Sequence, residues 1–96
     1  MVTTETRLTV PDQVMFRDLA GEAVLLELDS GRYFGLNESG TRMWSLLVHH
    51  GRIGLALEDL LREYDAPPEQ IEQDLVFFVE TLASRKLLHL HGDHES

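Results

Sequence analysis

The chain has 96 residues, 43% of them hydrophobic, which suffices for one core and leaves no length for a second. It contains no cysteine, so disulfides, zinc–thiolate sites and thiol nucleophiles are excluded. Seventeen acidic residues against eight Lys and Arg give a formal charge of −9, which repels phosphate backbones and favours a cationic or neutral partner, although solubility alone is the plainer explanation of the excess.

Residues 8–10 are expected to be extended and to stop at Pro11, which has no amide to donate. A short strand is expected over 14–17, with Gly21 and Glu22 in the connection after it. Residues 23–28 form an apolar run too brief for a typical helix, ending at Asp29, Ser30 and Gly31. Gly31 can take the left-handed backbone of a type I turn with a bulge, and Tyr33, Phe34, Gly35 and Leu36 supply the β-favouring return strand of a hairpin.

Asn37 is placed to cap a helix, its side-chain oxygen accepting from an exposed amide of the next turn, with Glu38 complementing the dipole. Met43, Trp44 and Leu47 share one face, and Gly51 stops the helix after His49 and His50. Ile53, Leu57, Leu60, Leu61 and Tyr64 repeat the spacing in a second helix, near whose start Gly54 offers no side-chain cap. Pro67 or Pro68 then occupies the first position of a third and longest helix. Its buried stripe is Ile71, Leu75, Phe78, Val79 and Leu82, with Glu69 and Glu72 suiting its N-terminal end and Arg85 and Lys86 its C-terminal end. Residues 87–90 are expected to be extended, and the polar tail 91–96 to be frayed. A sheet followed by three helices suits a winged helix-turn-helix arrangement in an α+β fold. One domain spanning 1–96, with an ordered core over about 8–90, is expected.

Residues 1–10 lack the basic start and unbroken apolar stretch of a signal peptide, and no run is long enough to span a bilayer, so a cytoplasmic chain without membrane contact is expected. His89, His91 and His94 are spaced unevenly on a polar tail without cysteine, which argues for solvated side chains over a metal site. His49 and His50 are explained by the carbonyl end of their helix. No Ser is set beside a His with an orienting third group, and single glycines cannot cradle a phosphate, so neither catalysis nor a cofactor is expected. DNA binding through the third helix is opposed by Glu69, Glu72, Asp74 and Glu80, which have the wrong sign for a groove walled by phosphates.

What does point to a ligand is the strand at 33–36, whose far side would be an unpaired edge able to accept an incoming strand. On a helical wheel Phe77 lies off the buried stripe, among Gln70, Gln73, Thr81 and Ser84, where an aromatic ring would meet water. A wider core contact is the plain alternative for Phe77. Taken singly, Tyr33, Phe34 and Trp44 are read as core.

The runs AVLLELDSGRYFGLNESGTRMWSLL and EYDAPPEQIEQDLVFFVETLASRKLL resemble the PqqD-like family of precursor-peptide recognition domains, over residues 14–88. The likeness is carried by the strand, the Asp29-x-Gly31 turn, Leu36-Asn37-Glu38, Gly40, Trp44 and Asp74-Leu75 in that order. It implies a winged helix-turn-helix domain that binds a leader peptide as an added strand, in the groove between the third strand and the third helix. By position, Tyr33, Phe34, Gly35 and Leu36 would then supply backbone pairing, and Asp74, Phe77, Phe78 and Thr81 would line the helix wall. There the apolar side chains would receive those of the leader, and Asp74 would accept from a polar or basic residue.

The Tyr33-to-Asn37 segment looks more like the stand-alone leader-binding proteins of lasso-peptide pathways than those of pyrroloquinoline quinone synthesis, whose turn usually carries Pro and Glu where this chain has Asp29-Ser30-Gly31. The lasso likeness implies a precursor leader, a separate cysteine-protease-like leader peptidase and a downstream cyclase as partners. The alternatives are a peptide chaperone of pyrroloquinoline quinone biosynthesis and a winged-helix transcriptional regulator. Gly54 departs from the family, where a capping residue is common.

Overall fold

The computed structural model describes residues 2–19 and 22–92. Eight elements follow one another: β1 (Arg7–Thr9), β2 (Val14–Leu19), β3 (Glu22–Glu27), β4 (Arg32–Leu36), α1 (Glu38–His50), α2 (Ile53–Glu63), α3 (Pro68–Ser84) and β5 (His89–His91). Strands β2, β3 and β4 form an antiparallel sheet in that order, in register Leu25 to Phe16 on one side and Leu25 to Phe34 on the other. With the three helices packed behind the sheet, the chain is an α+β winged helix-turn-helix. Among the described residues no helix is long and apolar enough to cross a membrane.

Leu25, Leu47, Ile53, Leu60, Leu75, Val79 and Leu82 are fully buried and come from β3 and all three helices, so one apolar cluster joins the sheet to the bundle. Burying each such side chain contributes about 1.5–3 kcal/mol relative to leaving it in water. The hairpin between β3 and β4 reverses through Gly31, whose φ of 73° is the left-handed region that a side chain disfavours and whose amide donates to the Glu27 carbonyl at 2.9 Å. The Asn37 side chain accepts from the Gly40 amide at 2.7 Å, Gly51 ends α1 in the left-handed conformation, and Pro68 opens α3, all as the sequence implies.

Several expectations are corrected. Strand β2 runs on to Leu19, and Glu22, expected in the connection, already begins β3. Leu61 and Tyr64, expected on the apolar face of α2, are exposed, and Ala56 packs in their place. The buried face of Ile53, Ala56, Leu57 and Leu60 keeps the i, i+3/i+4 spacing and ends before the last turn. His50 does not merely complement the carbonyl end of α1, since its Nε2 lies 2.7 Å from the Asp59 carboxylate of α2. The expected fraying does not begin at His91: residues 89–91 pair antiparallel with residues 7–9 as a second sheet, Leu8 opposite Leu90. His94 lies outside the described residues.

The start of α2 has a cap of an unexpected kind. Arg52 gives no side-chain hydrogen bond, and the exposed amides of Ile53 and Gly54 donate instead to the carbonyls of Thr6 (3.1 Å) and Thr4 (2.8 Å). The N-terminal segment therefore satisfies donors that a Ser or Asp would otherwise cover. It approaches so closely that a Cβ at residue 54 would stand 2.7 Å from the Thr4 carbonyl oxygen, which explains why glycine occupies a position suited to a capping residue.

Candidate functional site

Strand β4 bonds to β3 along one edge, and among the described residues nothing pairs with the other. Side chains alternate across it, so Phe34 and Leu36 turn toward the helices while Tyr33 and Gly35 face outward. Tyr33 is thus 75% exposed and is not the core residue its ring suggested. Trp44, by contrast, is buried in α1. The chain enters α1 two residues after β4, which places the capped first turn of that helix at the end of the open edge.

Helix α3 forms the opposite wall. Its buried stripe of Ile71, Leu75, Val79 and Leu82 packs on the core, and Asp74, Phe77, Phe78 and Thr81 lie on the adjacent facet at i, i+3, i+4 and i+7. Phe78, assigned to the core stripe from its spacing, is only half-buried and belongs to both facets. A Cβ at Gly40 would lie 3.5 Å from the Phe78 ring and 3.6 Å from Leu36, so the small residue lets α1, α3 and β4 converge. Between them runs a groove of about 400 Å³ lined by Phe34, Gly35, Leu36, Asn37, Ser39, Gly40, Met43, Asp74, Phe77, Phe78 and Thr81.

Seven of the eight residues singled out from the sequence line this groove, and Tyr33, the eighth, flanks a smaller recess beside Phe34. The sequence reading left out Asn37, Ser39, Gly40 and Met43. The absence of a linker between strand and helix was the available signal, because it obliges the first turn of α1 to abut whatever occupies the edge. Phe77 is 72% exposed, as its place on the wheel implied. Asp74 is exposed and accepts from the Gln70 amide nitrogen at 2.9 Å, which leaves its second carboxylate oxygen without a protein donor among the described residues. The Arg85 guanidinium lies over the Phe34 ring, 5.1 Å from its centroid.

The groove carries backbone donors and acceptors on one wall, aromatic side chains on the other and a carboxylate beside them, a set suited to holding an extended chain. Among the described residues no three His, Cys, Asp or Glu come together as metal ligands. His89 and His91 stack with ring centroids 4.5 Å apart, and His91 meets the Thr9 hydroxyl at 3.1 Å.

The family model for coenzyme PQQ synthesis protein D (PqqD) matches residues 22–88 of the chain. No curated protein matches it. Among solved structures, TbiB1 in complex with the TbiA(beta) leader peptide is 36% identical, with a TM-score of 0.78 over 88% of this chain and 98% of that one. Lasso peptide synthetase B1 complexed with the leader peptide superposes with a TM-score of 0.79 over 86% of this chain and 98% of the other, and at 19% identity that likeness speaks for the fold alone. With a family model covering both walls of the groove and a solved relative above one-third identity, the chain belongs to the PqqD family.

Proposed function

We propose that this chain binds the leader segment of a ribosomally made precursor peptide as a strand added to β4, and delivers it to the enzymes of a lasso-peptide pathway. The reading rests on one observation above the others: a strand edge left unpaired among the described residues faces an exposed aromatic helix facet across a groove open to solvent. The complex of the 36% identical relative with a leader peptide supports it. Backbone hydrogen bonds to β4 supply affinity that is indifferent to sequence. Selectivity comes from leader side chains seated against Phe34, Phe77 and Phe78, and from a polar or basic residue donating to Asp74.

In this role the protein makes and breaks no bond. It acts as a single domain in the cytoplasm, raising the local concentration of a substrate near a separate leader peptidase, with a cyclase downstream. The family model's own description favours a second reading, a peptide chaperone of pyrroloquinoline quinone synthesis. A DNA-binding role is opposed by Glu69, Glu72, Asp74 and Glu80 on the helix that would enter the groove of a duplex.

Calorimetric titration separates these. The leader of a lasso precursor encoded beside this chain is expected to bind, whereas a pyrroloquinoline quinone precursor and duplex DNA at low salt are not. Phe77→Ser should weaken leader binding by about tenfold, since an anchoring aromatic contributes on the order of 1.4 kcal/mol or more. Its unfolding free energy should stay within about 0.5 kcal/mol of the parent, because the ring is largely in water already. Equal leader affinity in the two proteins overturns the groove as the binding site.

A further inference from the structure

The groove is not electrically uniform along its length. Where β4 begins, Arg32 and Arg85 line a recess of about 150 Å³ beside Phe34, and Lys86 joins them around an adjoining hollow. Three of the chain's eight Lys and Arg are thus gathered at one end, and among the described residues none of the three forms an ion pair. Two acids share this end. Glu27 accepts from the Ser30 amide at 2.6 Å, and hydrogen bonding from the Ser30 side chain first and its amide second, with a smaller pull from Lys86, holds its carboxyl below the usual range, so its charge is engaged by the turn. Asp29 belongs to the same turn.

The other end has the opposite sign. Asp74 lines the groove where Leu36 and the first turn of α1 close it. The negative end of α3 accounts for cations just after it, but not for Arg32, which stands on β4, nor for the Arg85 guanidinium lying over Phe34 on the groove side.

We propose that this polarity sets the direction and register of the guest strand, whose carboxylate is taken by Arg85 and Arg32 and whose basic residue is taken by Asp74. The inference rests on the groove being the leader site. An open edge accepts a strand in either direction, and antiparallel pairing is only slightly the more stable, so backbone bonding discriminates weakly. The length of β4, about 13 Å at 3.3 Å per residue, exceeds the Debye length of about 8 Å at physiological salt, so the two ends are read separately. An antiparallel guest enters beside Leu36 and leaves beside Arg32. Its basic residue therefore precedes its acidic residue by about four positions, with apolar side chains between them for Phe34, Phe77 and Phe78.

A displayed library of random peptides, panned against the protein, tests this without knowledge of the natural leader. Recovered binders are expected to carry opposite charges at the two ends of the apolar stretch, Lys or Arg first in those that pair antiparallel to β4 and Asp or Glu first in those that pair parallel to it. Their affinity should fall about tenfold on Arg85→Glu or Arg32→Glu, two exposed positions whose variants are checked for folding by circular dichroism, and a Glu→Lys change in the peptide should restore it. Binders that are lost on Phe77→Ser yet show no charge order and ignore both reversals overturn the polarity while leaving the leader site in place. Binders indifferent to Phe77→Ser, or none at all, overturn both.

Discussion

A methyl group at residue 54 would do two opposing things. Replacing glycine by alanine inside a helix ordinarily stabilises by about 0.5–1 kcal/mol. Here the added carbon would meet the Thr4 carbonyl at 2.7 Å and push apart the segment that caps α2, a clash with backbone that costs about 1–3 kcal/mol. The clash wins, so Gly54→Ala is expected to lower the urea midpoint, against the usual propensity trend. A local reading of the sequence sees at Gly54 only a missing cap, because the carbonyls that replace it belong to Thr4 and Thr6, some fifty positions earlier. Phe77 was legible for the opposite reason: its exposure follows from a helical angle within α3 and needs no distant partner. Tyr33 was misjudged because ring size says nothing about which face of a strand a residue takes. That is fixed by alternation from Leu36, the buried end of β4.

The helices are joined at two polar points as well as through the core. Arg42 of α1 donates to Glu63 of α2 through Nε at 2.8 Å, holding the Glu63 carboxyl below its usual range. His50 closes the other end of the pair on Asp59, and an ionised carboxylate can only accept, so the imidazole N–H donates. That hydrogen bond is the main reason the Asp59 carboxyl is depressed, with the charges of His50 and Arg62 adding to it against a desolvation that opposes. A carboxyl depressed in the folded chain contributes stability above its unfolded value, about 3.9 for Asp, and loses it as pH falls through the folded value. Asp59→Asn should therefore unfold at lower urea than the parent near neutral pH, and the two midpoints should converge as the solution is acidified below about pH 3.9. Converging midpoints on raising the pH instead would point to a different titrating group. The elements themselves were legible wherever the signal was local: the Asn37 cap, the Gly51 stop, Pro68 opening α3 and the left-handed Gly31. How wide a face each helix buries was not, since the exposure of Leu61 and Tyr64 depends on where α3 happens to lie.

On the scale of the whole chain, the small sheet of β1 and β5 ties residues 7–9 to residues 89–91. Three-residue strands separated by the rest of the sequence carry no periodicity to detect, so each was recognisable as extended and their partnership was not. Removing residues 2–9 would strip Leu90 of its opposite strand and Ile53 and Gly54 of their acceptors at once. Hydrogen exchange at those amides is expected to quicken in that deletion, while the β3–β4 amides keep their protection. The same sheet sits at the Gly51 end of α1, because the Leu8 amide donates to the Gly51 carbonyl, and the groove lies at the Asn37 end. Thirteen helical residues separate them by about 20 Å. Any polypeptide spliced on before Val2 or after Gly92 would thus depart from one pole of the molecule with the other left clear, and an enzyme tethered at either end would have the captured substrate within its reach.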